Sequence, residues 1–292
     1  MRLLGCLGCL GCPGWRIAVG LLAIAVLFFL SLHSDMLPKA TTKSRLNDLL
    51  SKACGKAQPL FTALLQEQCE NFSTDGSNAA FIVETRKHDK LPLVLANVAG
   101  ILPDWTLYLL HGNENSMYVR SLPVVERLQK TRQIHLITLQ NVSKLFQDEA
   151  YELSRGAYNC LLRTEAFWSC SGAEHVLIFQ SDSILCAGSP YSMDDFLEYD
   201  YIGAPWPEGK VGNGGLSLRR RQAMLELIEN KAAWSVPEDL YFTIGINRSN
   251  RFRVAPVELA QRFSTDRVYE ESVGSLASRN DQQGVYGSAC IR

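Results

Sequence analysis

The sequence has almost no net charge, since 29 lysine and arginine residues stand against 30 aspartate and glutamate residues, a balance of −1. A neutral chain releases few counterions on meeting a polyanion, which argues against a dedicated nucleic-acid-binding protein. The sequence also lacks any collagen-like or solenoid period. Its 47% hydrophobic and 20% charged residues exclude wholesale disorder. The composition therefore indicates a globular protein with either one large α/β domain or two small ones.

One long apolar run, Ile17–Leu32, lies near the start of the chain. A helix that spans a bilayer needs about 20 residues, so this run of 16 spans a bilayer only if the flanking residues lengthen the helix. Trp15 and Arg16 can extend it by a turn. A cleavable signal peptide is the alternative, but no clear Ala-x-Ala cleavage site follows the run. The pattern favours an uncleaved signal anchor, with residues 1–16 as a cytoplasmic tail and 17–33 as a transmembrane helix.

The short, Phe-containing span fits the thinner membranes of the early secretory pathway. The prediction is a single-pass type II protein of the Golgi apparatus or another secretory-pathway membrane, with its C-terminal bulk in the lumen. Three Asn-x-Ser sequons, which are compatible with a lumenal glycoprotein, lie at Asn71, Asn141 and Asn247.

The nine cysteines fall into two groups. Cys6, Cys9 and Cys12 precede the apolar run, where they are either palmitoylation candidates or ordinary thiols. No histidine or second cysteine pair accompanies them, so they do not form a zinc-binding pattern. The other six, for which an oxidising lumen predicts disulfides of undetermined connectivity, are Cys54, Cys69, Cys160, Cys170, Cys186 and Cys290.

Residues 34–78 are polar and mixed, with an amphipathic helix expected around 46–65, and are predicted to be a stem. Residues 79–292 are predicted to form the lumenal domain, in which apolar strands alternate with helices. The expected strands are 79–84, 106–112, 134–139 and 176–183, and the expected helices are 91–102, near 123–130, and 158–170. This alternation indicates an α/β fold with a mostly parallel central sheet covered by helices. Ligands of such sheets bind at the carboxyl ends of the strands.

Gln180, Ser181 and Asp182 follow the most apolar of these strands. Nucleotide-sugar transferases hold a divalent ion on the donor diphosphate, and two carboxylates spaced Asp-x-Asp at a strand end suit that ion. Here an amide replaces the first carboxylate. The alternative is that Asp182 only caps the next turn.

Three further segments carry candidate chemistry. The glycines of Val211–Arg219 would let the backbone approach a ligand closely or turn with positive φ. Pro237–Phe242 places Glu238 and Asp239 in a first helical turn, where acids can also simply complement the helix dipole. Trp206 could stack on a sugar or belong to the core.

Taken in order, six segments between Phe81 and Val257 resemble the glycosyltransferase-like domain family of uncharacterised function. They are Glu84–Arg86 (ETR), His111–Asn113 (HGN), Leu177–Ser183 (LIFQSDS), Asp200–Trp206 (DYIGAPW), Val211–Arg219 (VGNGGLSLR) and Pro237–Phe242 (PEDLYF). The resemblance implies the GT-A-type fold of nucleotide-sugar transferases. The order of the segments is also similar to that of inverting β-1,3-type transferases, in which a GG segment lines the acceptor side and an ED pair supplies the base.

On the donor side, the resemblance implies that Thr85, Arg86, Ser181 and Asp182 contact the nucleotide-sugar. Asp182, with Gln180 as a second position, would face Mn²⁺ or Mg²⁺. The sequence has no late histidine of the kind that GT-A enzymes bring to the metal. Either fewer protein groups hold the ion, or cations such as Arg86 stabilise the leaving diphosphate instead.

On the acceptor side, the resemblance implies that Asp239 or Glu238 is the general base. The residues it places against a glycan, protein or lipid acceptor are Trp206, Asn213, Gly214 and Gly215. The functional hypothesis is an enzyme, a glycosyltransferase acting on an unknown hydroxyl with possible inversion. A non-catalytic binding protein or pseudoenzyme on the same fold is the alternative, and a hydrolase with paired carboxylates is a weaker one.

Overall fold

The computed structural model describes residues 54–55, 57–70, 72, 77–140, 155–206, 209–229 and 236–265, together with the strand Ser288–Ala289. All of these belong to one unit, Leu50–Arg292. The expected tail (1–16) and anchor (17–33) lie outside the described residues, as do Cys6, Cys9 and Cys12. Within the described part of the chain, no helix is long and apolar enough to cross a bilayer.

Strands and helices alternate along the described chain. The strands are β1 (Asn78–Val83), β2 (Thr106–Gly112), β3 (Ile134–Leu139), β4 (His175–Ile178), β5 (Ile184–Leu185), β6 (Tyr201–Gly203), β7 (Ser217–Arg220) and β8 (Ser288–Ala289). The helices are α1 (57–69), α2 (Leu91–Ile101), α3 (Ser116–Ser121), α4 (Pro123–Lys130), α5 (Arg155–Leu161), α6 (Glu165–Ser169), α7 (Arg221–Glu229), α8 (Glu238–Arg248) and α9 (Val257–Phe263). A 3₁₀ turn covers Met193–Phe196.

The central sheet has six strands in the order β3-β2-β1-β4-β7-β6. The first four are mutually parallel, whereas β7 runs antiparallel to β4 and to β6. The fold is therefore mixed α/β with a mostly parallel sheet, as expected from the alternation. A separate parallel pair joins β5 and β8.

Both faces of the sheet are covered by apolar side chains. In β1, Ala80 and Ile82 belong to one core, which includes residues of α2 and α4. Ala79 and Phe81 belong to the other, which includes residues of α1, α5, α6, α7 and α8. This alternation follows from the two-residue repeat of a strand. It explains the unbroken apolar sequence of the strand, since each face meets a helical layer.

Helix α1 lies within the segment 34–78 that was expected to be a stem, yet its side chains Phe61 and Leu65 are buried against the body. Disulfides join Cys54 to Cys160 and Cys69 to Cys170. They confirm disulfide formation for four of the six later cysteines. The packed body therefore begins ahead of position 79.

The helix expected over 158–170 is divided into α5 and α6. Thr164 separates them, because its hydroxyl donates to the Leu161 carbonyl at 2.7 Å and accepts from the Phe167 amide at 3.3 Å. A threonine in this position caps the following helix. The apolar pattern runs through the break because α5 and α6 pack against the same core.

Candidate functional site

The sheet topology brings four polar segments to one edge. The carboxyl ends of the parallel strands β1, β2 and β4 meet there, and antiparallel β7 begins there. Ile178 at the end of β4 is paired with Ser217 at the start of β7. Residues 213–215, just before β7, are thereby placed beside Gln180, just after β4. This is the edge at which α/β sheets bind ligands.

Strand β4 ends at Ile178, earlier than expected, because Gln180–Ser183 forms a turn. The Ser183 amide donates to the Gln180 carbonyl at 3.0 Å. The Ser183 hydroxyl accepts from the Gln180 amide, also at 3.0 Å. The turn leaves Asp182 half-buried and Ser181 buried.

Arg86, after β1, is held by a buried carboxylate. Its Nε and Nη2 atoms donate to Glu84, each at 2.9 Å. The Asn115 amide group donates to the carbonyls of Glu84 and Arg86 at 2.8 and 2.9 Å. Thr85, between the two, is buried. The loop after β1 is therefore rigidly positioned, with about half of the Arg86 side chain exposed at the edge of the sheet.

The protonation of Glu84 follows from these contacts. Burial alone would raise the pKa of Glu84, but hydrogen bonds from Arg86 and Ser181 outweigh it, and the pKa lies below its ordinary value. Ser181 is thus linked to the carboxylate that orients Arg86. The structure brings together Arg86 and Ser181, two of the residues predicted to contact the donor.

Asp182 lies near basic side chains. Burial raises the pKa of this carboxyl group, while His88, Lys90 and Arg86 act in the opposite direction. Among the described residues, no group of three histidine, cysteine, aspartate or glutamate side chains is placed to hold a metal ion. The side chains around Asp182 are mostly basic, although Arg86 is already paired with the Glu84 carboxylate. That set fits an anionic ligand, or a divalent ion that arrives bound to such a ligand.

Gln180 is the amide in the expected first metal position. It is hydrogen-bonded to Tyr158. Its Oε1 lies only 3.0 Å from the point where a Cβ on Gly215 would stand. Gln180 therefore lies against the glycine segment, residues 212–215. The same segment also lies beside the two acids of α8, Glu238 and Asp239.

The glycines before β7 do not adopt the positive φ that was one of their two expected roles. Gly209 is the only described glycine with a positive φ, so Gly212, Gly214 and Gly215 provide space for protein side chains. A Cβ on Gly214 would lie 2.5 Å from Glu238 Oε1 and 2.8 Å from Arg219 Nη2. Real Cβ atoms do not approach other atoms so closely.

Trp206 and Asn213 flank these glycines. The half-buried Trp206 ring lies where a Cβ on Gly212 would clash with it. The Asn213 side chain accepts from the Gly215 amide at 2.9 Å. Both predicted acceptor residues therefore shape the loop itself, and each remains partly accessible.

A buried ion pair underlies the glycine segment. Arg219, which is fully buried, donates to both carboxylate oxygens of Glu238, whose side chain is 4% exposed. The charge is also enclosed by the rings of Trp168, Tyr201 and Phe242. Burial opposes the Arg219 charge, but Glu238 outweighs this and raises the pKa of the guanidinium above its ordinary value.

Both carboxylate oxygens of Glu238 are therefore occupied by hydrogen bonds from Arg219. Its backbone amide is also held, since it donates to Asn159 Oδ1 at 3.0 Å. This arrangement suits a structural carboxylate better than a base that must accept a proton from a ligand. Of the two acids predicted for catalysis, Glu238 is the one whose carboxylate oxygens are both hydrogen-bonded to a buried arginine.

Asp239 is half-buried at the start of α8. Burial raises the pKa of this carboxyl group and Glu238 raises it further, while the amides of Leu240 and Gly214 act in the opposite direction. The Leu240 amide donates to Asp239 Oδ1 at 2.7 Å. A partly accessible acid with a raised pKa has the properties expected of a general base.

Several site residues had no clear sequence signal. Tyr158 and Asn159 come from α5, and Asn115 lies after β2. Arg219 does carry a signal, since a charge stands within the otherwise buried β7. The histidine of the HGN segment, His111, is fully buried, and its ring nitrogens contact Gly112 and Thr138.

Residues 141–282 match the model of a family described as "Protein of unknown function (DUF5672)". The match covers just under half of the chain. It includes the Asp182 turn, the glycine segment and the two acids of α8, but not the loop after β1. No curated protein matches the sequence.

The chain has a weak structural likeness to two solved proteins. The 4-diphosphocytidyl-2C-methyl-D-erythritol synthase from Anaerococcus prevotii has a TM-score of 0.37 and 9% identity, over 62% of this chain and 86% of that chain. The PaToxG glycosyltransferase has a TM-score of 0.31 and 13% identity, over 69% of this chain and 79% of that chain. Because both TM-scores are below 0.5, neither likeness carries an argument about function.

Proposed function

We propose that this protein is a glycosyltransferase of the GT-A type that transfers a sugar from a nucleotide-sugar to an acceptor hydroxyl, with inversion. One observation carries the proposal. Two half-buried acids with raised pKa values, Asp182 and Asp239, lie at the ligand-binding edge of the sheet in different surroundings. Two titratable groups in distinct environments are the usual basis for dividing roles at an active site.

Asp182 belongs to the donor side. The neighbouring side chains of Arg86, His88 and Lys90 would bind the diphosphate and stabilise the charge that develops on it as the bond to the sugar breaks. Asp182 would be the residue that holds a divalent ion here, because the nearby Glu84 carboxylate is already hydrogen-bonded to Arg86. The ion would add Lewis-acid stabilisation of the leaving group.

Asp239 belongs to the acceptor side. As the acceptor oxygen forms its bond to the anomeric carbon, the Asp239 carboxylate takes the hydroxyl proton. The bond between that carbon and the diphosphate oxygen breaks, and the nucleoside diphosphate leaves with the electron pair. Gly214, held close to Asp239, and Trp206 would border the acceptor.

A location in the lumen of the secretory pathway is part of the proposal. Disulfides persist in oxidising compartments, and two of them join the described body. Asn247, one of the sequons, is exposed. A lumenal domain on a type II anchor is the arrangement that we propose, with the anchor at 17–33.

The competing proposal is a nucleotide-binding pseudoenzyme, which the amide at Gln180 favours. The test uses the full-length protein in detergent, with thermal shift against nucleoside diphosphates and donor hydrolysis with and without Mn²⁺. A transferase should bind a diphosphate and slowly hydrolyse its donor, and Asp239→Asn should lower the hydrolysis about 10²- to 10⁴-fold. Binding without turnover of any donor would favour the pseudoenzyme.

Asp104 offers a matched control. It is exposed and lies just before β2, at the opposite edge of the sheet. Asp104→Asn should leave both binding and hydrolysis unchanged. If Asp104→Asn and Asp239→Asn lower hydrolysis equally, the assignment of the site is wrong.

A further inference from the structure

Two consecutive residues of α5, Tyr158 and Asn159, contact different halves of the candidate site. The Tyr158 side chain is hydrogen-bonded to that of Gln180, in the turn that carries Asp182. Asn159 Oδ1 accepts from the Glu238 backbone amide at 3.0 Å. One short helix therefore contacts both the proposed donor side and the first turn of α8, which carries the proposed base.

The contact from Asn159 caps α8 from another helix. The residue before α8 is Pro237, which makes no side-chain capping hydrogen bond. The first amide of a helix has no acceptor within the helix, and a side-chain oxygen that accepts from the amides of the first turn stabilises the helix start. Because Asn159 supplies such an oxygen, the position of Asp239 in the first turn of α8 depends on α5.

The Tyr158 side chain lies between the two halves of the site. It packs against the core on this face of the sheet. Burial, Glu238 and Asp239 raise the pKa of its hydroxyl group, while Arg219 and Gln180 act in the opposite direction. The hydroxyl group therefore stays protonated at neutral pH. Gln180 is the first residue of the turn after β4, so loss of this hydroxyl group would release the start of that turn.

Helix α5 is itself firmly attached to the body. Ala157 and Leu161 are fully buried, and Cys160 is disulfide-bonded to Cys54, just before α1. A helix fixed by packing and by a covalent bond can hold the segments that it contacts in defined positions.

We propose that Tyr158 and Asn159 are positioning residues, which set the separation between the donor turn and the base. The inference rests on the proposed function, since it takes the two sides of the site from that function. Tyr158 acts on the donor side through Gln180, whereas Asn159 acts on the acceptor side through α8. The two neighbours should therefore have different effects on the reaction, which a general loss of stability would not produce.

The kinetic test uses the full-length protein in detergent, with UDP and GDP as binding probes and their sugar derivatives as donors. Tyr158→Phe should weaken diphosphate binding and raise the donor KM about fivefold, the equivalent of one lost hydrogen bond, with kcat nearly unchanged. Asn159→Ala should leave the donor KM unchanged and lower kcat about 10- to 100-fold, because the base moves from its productive position.

Two control variants remove comparable hydrogen bonds from elsewhere in the body. Tyr241→Phe deletes a hydroxyl group that donates to the Leu227 carbonyl at 2.9 Å, and Thr164→Ala deletes the cap of α6. Both should lower the Tm slightly and leave KM and kcat unchanged. If the α5 variants change KM and kcat no more than these controls do, or both in the same way, the positioning roles are wrong.

Hydrogen exchange tests the same contacts without any turnover. Tyr158→Phe should speed amide exchange in residues 180–183 but not in 238–241, and Asn159→Ala should do the reverse. Asn159→Asp, which keeps an acceptor oxygen at the helix start, should restore slow exchange in 238–241. Unchanged exchange in either variant would overturn the role of that residue. Loss of protection in the expected segments, with no turnover of any donor by the unmutated protein, would count against the proposed transferase but not against the two contacts.

Discussion

Replacement of Glu238 by glutamine tests whether this acid serves the fold or the chemistry. The change keeps the shape of the side chain but removes the charge that faces Arg219, which is fully buried. Removing one partner of a buried ion pair typically costs about 3–5 kcal/mol, since the other charge stays buried without compensation.

The environment of Arg219 places the expected cost near the lower end of that range. Its guanidinium keeps a hydrogen bond to Ser217 at 2.9 Å and one to the Gly214 carbonyl at 3.3 Å. Three aromatic rings also remain around it. A loss of about 3 kcal/mol corresponds to roughly a hundredfold change in the folding equilibrium. For a body of this size it would lower the Tm by roughly 6–12 °C.

The assay is urea unfolding of the oxidised, full-length protein in detergent, followed by tryptophan fluorescence. Glu126→Gln is the matched control, because Glu126 forms an exposed ion pair with Lys130 on α4. Exposed pairs contribute little to stability, so this control should unfold at the same urea concentration as the unmutated protein.

A Glu238→Gln protein as stable as the control would refute the argument that Arg219 depends on Glu238. If it were also less active than Asp239→Asn, Glu238 would be the base. Our expectation is the reverse order for activity, measured at a temperature where both variants are folded.

Three other predictions concern the proposed reaction and location. Asp239→Asn should lower turnover about 10²- to 10⁴-fold with donor affinity nearly unchanged. Because the pKa of Asp239 is raised, the activity of the unmutated protein should fall as the pH drops through that raised pKa, and a rate independent of pH in that range would contradict the assignment of Asp239 as the base. Asp182→Asn should remove any Mn²⁺-dependent gain in nucleoside-diphosphate affinity, measured by calorimetry, and a retained gain would place the ion elsewhere. The full-length protein should stay in the membrane pellet after carbonate washing and shift on endoglycosidase treatment, whereas a soluble, unglycosylated product would refute the topology.

The parallel part of the sheet was predictable from local sequence. Strands β2 and β3 have the expected bounds, since each is a continuous apolar run between polar segments. The strand expected over 176–183 ends at Ile178 in the structure, because a turn with a hydrogen bond to the Ser183 side chain follows Phe179. The apolar periodicity of the sequence does not predict such a hydrogen bond. The sequence pattern also treated residues before 79 as a stem, although α1 packs on the body with Phe61 and Leu65 buried.

The location of the candidate site could be inferred from the sequence, but its contacts only in part. The polar residues after β1 and β4 follow from the rule that ligands meet the carboxyl edge. The role of Glu238 does not, because its partner Arg219 is 19 positions away and its amide is held by Asn159, 79 positions away. Such pairings depend on the antiparallel insertion of β7 beside β4, which the apolar pattern does not encode.

Helix α1 also has a mechanical consequence. It is cross-linked near both of its ends, through Cys54 to α5 and through Cys69 to Cys170 beyond α6. A force applied to the chain ahead of position 54 would therefore reach α5 through a covalent bond, without first peeling α1 from the body. Helix α5 contains Tyr158, whose side chain is hydrogen-bonded to Gln180 at the candidate site. After reduction of the Cys54–Cys160 disulfide, such a force would reach α5 only through the packing of α1 against the body.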